Sequence, residues 1–183
     1  MNDSAIRRVI FDYLEENAGK IRIFEESPIK SSRCDFYTVT DRLTGYEIKS
    51  DADSYARLAG QIKNYELFFD ENYLVVGRTH EASAKKKIPE HWGLISISDE
   101  DEGFVVSVIR EASENPKCKR KNQICKLWNS EITAILRRNG LHIYGGKSKS
   151  FRADVMIKSI SDEKLREEIC RELFERDYNR EED

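Results

Sequence analysis

Two short segments in the first third of the chain carry side chains that could perform metal and acid–base chemistry. Asp35 lies in segment 34–40, and Glu47 and Lys49 lie in segment 46–50; both segments have the composition of β-strands. Side chains two residues apart on a strand project from the same face, so Glu47 and Lys49 share a face. An acid beside a lysine, with a second acid on the neighbouring strand, can hold a divalent cation next to a phosphate. We therefore expect a metal-assisted site for phosphate chemistry here.

The turn predicted between these segments, residues 41–45, complicates this site. In a regular hairpin with that turn, Asp35 faces Ser50 or Asp51, and Glu47 lies ~13 Å further along the strand. Joint ligation by Asp35 and Glu47 then requires a bulge, a strong bend or a slipped register. Asp51 is kept as an alternative ligand.

The pattern Asp35…Glu47-x-Lys49 resembles the PD-(D/E)XK phosphodiesterase superfamily. Gln61 and Tyr65 follow one helical turn apart on the next predicted helix, 53–69. They resemble the QxxxY motif of the exonuclease-like branch of that superfamily. Because Tyr65 also belongs to the apolar stripe of this helix, a role in packing alone is an equal alternative.

The resemblance extends beyond these motifs. The stretches 45–51, 53–70 and 89–93 are similar to a small, uncharacterised bacterial family within the superfamily. The similarity covers most of residues 20–97 and, more weakly, the C-terminal part of the chain. It implies a restriction-endonuclease-like fold and nuclease activity, with DNA as the partner and RNA as a further candidate.

The resemblance also implies roles for individual residues. Asp35 and Glu47, with the backbone carbonyl of Ile48, would bind Mg²⁺ or Mn²⁺, the cations that hard oxygen ligands favour. Lys49 would orient the attacking water or stabilise negative charge in the transition state. Gln61 and Tyr65 would support the site from behind. Glu26 is a further candidate, because the resemblance matches it to a glutamate-bearing strand; an exposed charge on an edge strand is the alternative.

Composition limits the class of protein. The chain has 183 residues, of which 39% are hydrophobic and 36% charged, and its net charge is −3. No apolar run reaches the length of a membrane span and no signal peptide is evident, so a cytoplasmic location is expected. The acidic net charge argues against a generic nucleic-acid coat protein but not against a nuclease, because local basic runs can contact phosphates. The candidate runs are 85–87, 117–121 and 147–152.

Hydrophobic periodicity predicts an α/β protein with a mixed sheet flanked by helices. The expected order of the core is α-β-β-β-α-β-α-β, starting with a helix over 3–17, and it occupies residues 1–110. A helical extension, residues 111–183, follows, with helices predicted over 124–138 and 162–176. The apolar sides of these helices could form a dimer interface, so a homodimer is compatible with the sequence.

A second class of function is compatible with the same sequence. A nuclease-like fold without catalytic activity could serve only to bind nucleic acid or a protein partner. Such a module would bind DNA without a divalent metal, which distinguishes it from a nuclease.

Overall fold

A computed structural model describes residues 1–101 and 103–178. Within these residues the strands are β1 (Arg22–Ile29), β2 (Ser32–Val39), β3 (Leu43–Lys49), β4 (Glu71–Gly77), β5 (Gly93–Glu100) and β6 (Gly103–Arg110). The helices are α1 (Asp3–Asn17), α2 (Leu58–Tyr65), α3 (Glu81–Ala84), α4 (Arg120–Ile124), α5 (Asn129–Arg138), α6 (Lys149–Ser159) and α7 (Asp162–Glu175). In this part of the chain, no helix has the length and apolar character needed to cross a membrane.

The described strands form one mixed sheet in the order β1-β2-β3-β4-β5-β6. Strand β4 is parallel to both β3 and β5, whereas β5 and β6 are antiparallel. The connection from β3 to β4 contains α2, as a parallel crossover requires. The prediction of an α/β protein with a mixed sheet and flanking helices is therefore confirmed.

Alternation along β3 directs its side chains to two different layers. Every residue of β3 is buried. Tyr46 and Ile48 pack in one hydrophobic cluster with Ile6 and Ile10 of α1. Glu47 projects from the opposite face, which α2 covers. The polar pair of β3 therefore lies inside the protein, beneath a helix.

Several predicted bounds differ from the structure. Helix α1 spans the predicted residues, and Asn2 caps it, since the Asn2 side chain accepts a hydrogen bond from the Ala5 N–H at 2.9 Å. Strand β1 includes Pro28. Helix α2 is shorter than the predicted 53–69, because the residues before it form turns.

The predictions for the C-terminal part were less accurate. The helix predicted over 124–138 is two helices, α4 and α5, separated at 125–128. Trp128 has an extended backbone there, and its N–H donates to the Glu131 side chain at 2.6 Å, which starts a new helix. Helix α6 was not predicted, whereas α7 lies where a helix was expected over 162–176.

The chain divides into two compact units. The first contains residues 1–38 and 43–118, and the second contains residues 39–42 with the segment from 119 onward. The first unit holds the sheet and the second holds the C-terminal helices. The domain boundary expected from sequence, between 110 and 111, lies before this division, so segment 111–118 groups with the sheet.

Candidate active site

A shorter turn than predicted brings Asp35 and Glu47 together. Strands β2 and β3 are joined by only three residues, 40–42, and the Thr40 N–H donates to the Arg42 C=O at 3.0 Å. Counting outward from Asp41, Asp35 and Glu47 are equally distant along the two strands, which places them opposite each other in a regular antiparallel pair. The expected separation of ~13 Å assumed a longer turn.

Side chains contact main-chain groups of both strands at this point. The Asp35 carboxylate accepts a hydrogen bond from the Ile48 N–H at 2.6 Å. The Tyr65 hydroxyl accepts from the Asp35 N–H at 3.1 Å and donates to the Tyr46 C=O at 3.0 Å. Tyr65 thus bridges backbone groups of β2 and β3 beside Asp35.

Glu47 is the most buried acid of the site, with 1% of its surface exposed. Its Oε1 accepts hydrogen bonds from Lys49 Nζ and Gln61 Nε2. Its Oε2 has no hydrogen-bond partner among the described residues, and the same holds for Gln61 Oε1. Buried oxygens in proteins are normally satisfied, so this pair of acceptors indicates room for a cation or water.

Burial shifts the acidity of both carboxyl groups. Burial and the negative charge of Glu47 together raise the pKa of Asp35 to about 7, against the opposing effects of the Ile48 N–H, Lys49 and Arg7. Burial also raises the pKa of Glu47, while Lys49 lowers it in part. Because the charge of Glu47 disfavours the charge of Asp35, a divalent cation bound by both would relieve this repulsion.

The residues present fit Mg²⁺ or Mn²⁺. In 1–101 and 103–178, no group of three or more His, Cys, Asp or Glu side chains is arranged to hold a metal ion. Asp35 and Glu47 instead form a pair of carboxylates, and magnesium commonly takes one or two carboxylates together with water and substrate phosphates. The Ile48 N–H points to Asp35, and within an extended strand the C=O of a residue lies on the same edge as its N–H. Ile48 is thus placed to add a carbonyl ligand.

Two further candidate residues lie outside this constellation. Glu26 is exposed and is ion-paired with Arg7 at 3.0 Å and with Arg33 at 2.7 Å. The Asp51 carboxylate contacts the amino group of Met1 and the hydroxyl of Thr79. The structure therefore brings together Asp35, Glu47, Lys49, Gln61 and Tyr65, but neither Glu26 nor Asp51.

Arg7 is a neighbour of the site that sequence reasoning missed. Its guanidinium donates to the Asp35 C=O at 3.0 Å and to the Glu25 carboxylate at 3.1 Å. The signal in the sequence was its place between Ile6 and Ile10 on an amphipathic helix, which directs it toward the sheet. Arg7 ties α1 to β2 at the site.

A groove of about 810 Å³ opens beside Asp35 and Gln61. Its cationic side chains are Arg33, Arg57 and Lys63. It is completed by Ser31, Ser32, Ala56, Gly60 and Asn64, so among the residues that the structure describes Asp35 is the one acid that lines it. The three basic runs expected to contact phosphates do not line it. These cations are scattered along the sequence, so a search for basic runs could not find them.

The fold and the site define a mixed α/β protein with a pair of carboxylates, the buried Glu47 and the half-buried Asp35, beside a basic groove. The chain belongs to the bacteriophage P4 protein cII family, whose profile matches residues 1–183. It is 24% identical over 149 residues to Protein cII of Enterobacteria phage P4, covering 80% of this chain and 55% of that protein. The chain thus spans about half the length of this relative. No solved structure gives a significant match.

Proposed function

We propose that this protein is a metal-dependent nuclease that hydrolyses phosphodiester bonds, with DNA as the first candidate substrate and RNA as the second. The observation that carries the proposal is the buried Oε2 of Glu47, which has no hydrogen-bond partner among the described residues and lies on the strand next to that of Asp35. Membership of the QxxxY branch of the PD-(D/E)XK superfamily is part of the proposal and rests on the motif residues.

In such a reaction, different residues of the chain would have different roles. Asp35 and Glu47 would hold Mg²⁺ or Mn²⁺, which when bound polarises the phosphate and lowers the pKa of an attacking water. Lys49 is held by Glu47 at the site, where its ammonium group can orient water or stabilise the developing negative charge. Gln61 fixes the Glu47 carboxylate and Tyr65 fixes the backbone of Asp35.

The groove would position the substrate strand. Arg33, Arg57 and Lys63 provide positive charge along a surface that leads to Asp35. Phosphate contacts of this kind fix the register of a nucleic acid without reading its sequence. Nucleic-acid binding is therefore compatible with the net charge of −3.

A binding module without catalysis is the second candidate, and one observation favours it. Lys49 already neutralises one oxygen of Glu47, and a pKa of about 7 lets Asp35 accept a proton near neutrality. The pair can thus be electrically balanced without a cation. In that case, nucleic-acid binding would be independent of divalent metal.

A nuclease assay separates the two candidates. Wild type, Glu47→Gln and the exposed control Glu90→Gln are incubated with labelled single-stranded DNA, duplex DNA and RNA in Mg²⁺ or Mn²⁺. We expect cleavage by wild type and by Glu90→Gln, and a loss of about 100-fold or more in Glu47→Gln. Full activity in Glu47→Gln would contradict the proposal. Metal-independent binding without any cleavage would favour the binding module.

A further inference from the structure

A second basic pocket lies in the C-terminal unit, at the N-terminal end of α6. It has a volume of about 670 Å³, and its charged lining residues are Arg137, Lys147, Lys149 and Arg152. The remaining lining residues are Asn129, Ser130, Thr133, Gly145 and Ser148. Four cationic side chains line this pocket, and no Asp or Glu of the described part of the chain does.

Arg152 is the most informative of these cations, because it is buried with only 5% of its surface exposed. One terminal nitrogen donates to Thr133 Oγ1 at 3.3 Å, and the other donates to Asn129 Oδ1. Its Nε is buried without a partner among the described residues. Both partners are neutral, so among residues 1–101 and 103–178 this buried guanidinium forms no ion pair. A buried charge normally needs such a partner, and an anion in the pocket would provide it.

The start of α6 adds hydrogen-bond donors to the same pocket. Ser148 caps the helix, and its hydroxyl accepts from the Phe151 N–H at 3.2 Å. The N–H groups of residues 149 and 150 then have no acceptor within the helix. The helix dipole favours an anion at this end, where backbone N–H groups are directed outward.

Lys149 adds positive charge to the lining of the pocket, but its ammonium group is already hydrogen-bonded to backbone carbonyls. Its ammonium group donates to the carbonyls of Cys125, at 2.9 Å, and Leu127, so it closes the loop between α4 and α5. Arg137 and Lys147 are exposed. They are therefore the cations most available to a ligand, above the buried Arg152.

An exposed aromatic ring lies beside these charges. Phe151 is 42% exposed, and Lys147 Nζ lies 5.8 Å from the centre of its ring. Tyr144 packs edge-on against Phe151, with ring centres 5.3 Å apart. An aromatic ring next to a cationic pocket provides a stacking surface for a base whose phosphate occupies the pocket.

We propose that this pocket binds the phosphate group of a nucleotide or of a nucleic-acid strand, through Arg137, Lys147, Arg152 and the N-terminus of α6. The proposal does not depend on the proposed nuclease activity, because all of these residues lie outside the carboxylate site.

Calorimetric titrations of the full chain in EDTA test this inference, with dTMP and oligothymidylate as probes. Binding of dTMP would identify a nucleotide ligand, and binding of oligothymidylate alone would identify a strand. For whichever probe binds, we expect Arg137→Gln/Lys147→Gln to weaken the affinity about tenfold or more. On oligothymidylate, the salt slope should fall by about 0.7 for each phosphate that the variant no longer neutralises. Arg152→Lys keeps the charge but not the forked geometry, and it should weaken binding similarly.

The matched control is Lys158→Gln/Lys164→Gln, which removes the same charge from the same unit at exposed positions outside the pocket. We expect it to change the affinity by no more than about twofold. Circular dichroism establishes that each variant is folded. The proposal is overturned if neither probe binds, if the pocket double variant binds like wild type, or if the control loses as much affinity. The titrations measure binding in EDTA and not cleavage, so failure of the nuclease proposal leaves this test unaffected.

Discussion

At the scale of single residues, Asp35 links the geometry of the site to a pH dependence. Its pKa is about 7 in the folded protein against an ordinary 3.8, so the folded state binds more protons between these pH values. The free energy of unfolding should therefore decrease as pH rises from about 4 to about 7 and level off above. In Asp35→Asn this contribution should be absent.

Urea denaturation of wild type and Asp35→Asn in EDTA, at steps between pH 5 and pH 8, measures this effect. The difference in stability between the two proteins should change with pH across that range. Parallel curves would show that Asp35 keeps an ordinary pKa in the fold.

The Tyr65 hydroxyl allows a second test at this scale. Tyr65→Phe keeps the ring but removes the bridge between the Asp35 N–H and the Tyr46 C=O. Leaving these buried groups unpaired should lower the free energy of unfolding by about 1–3 kcal/mol. Tyr55→Phe is the control; it loses a hydrogen bond to the His80 C=O and a long, exposed one from the Ser83 hydroxyl, and it should cost about 1 kcal/mol or less. An equal loss in both variants would mean that Tyr65 contributes mainly by packing.

The sequence predicted which side chains of the site share a face, because strand alternation and helical spacing depend only on residues close together in the chain. Glu47 and Lys49 share a face by alternation, and Gln61 and Tyr65 share one by helical spacing. Glu26 could not be judged in this way. Its position depends on a backbone with φ of 49° and on ion pairs to two arginines.

At the scale of elements, two glycines differ in the space around them. Gly45, expected in the turn, lies within β3, where an added Cβ would overlap the ring of Phe69. Gly45→Ala should therefore lower the free energy of unfolding by about 1–3 kcal/mol. Gly60 lies on α2 with nothing near a Cβ, so Gly60→Ala should raise it by up to about 1 kcal/mol. Thermal and urea denaturation of both variants measure the two effects, and destabilisation by Gly60→Ala would contradict this placement.

Hydrophobic periodicity failed to predict two features of the C-terminal part, the break between α4 and α5 and the helix α6. Apolar residues continue at helical spacing from Ile124 through Leu127 to Ile132, so periodicity alone cannot reveal the break at Trp128. The break depends on the hydrogen bond from the Trp128 N–H to the Glu131 side chain. Helix α6 begins in a segment rich in Gly, Lys and Ser, and it buries Arg152 along with Ala153 and Met156. A polar residue in the buried face weakens the pattern that marks a helix.

At the scale of the whole molecule, we expect nucleic-acid binding to depend on where the cationic side chains lie rather than on the net charge. The chain is acidic overall, yet two separate pockets are lined by cations. Arg57→Gln/Lys63→Gln removes two cations from the groove beside Asp35. We expect this change to weaken nucleic-acid binding and to lower the slope of log affinity against log salt by about one to two.

Lys85→Gln/Lys86→Gln provides the control, because these exposed lysines lie outside the groove and removing them changes the net charge equally. Fluorescence anisotropy with a labelled oligonucleotide, in EDTA and over a series of salt concentrations, compares the two double variants. Equal losses would mean that net charge, rather than the groove, determines binding.

The central claim is a metal site at Asp35 and Glu47, and calorimetric titration of Mn²⁺ tests it most directly. The titration is performed on wild type, Glu47→Gln and Glu90→Gln, each with and without oligonucleotide. We predict binding to wild type and to Glu90→Gln, and a loss of about tenfold or more in affinity for Glu47→Gln. Equal binding to wild type and Glu47→Gln, or no binding to wild type even with oligonucleotide present, would contradict a metal site at Asp35 and Glu47.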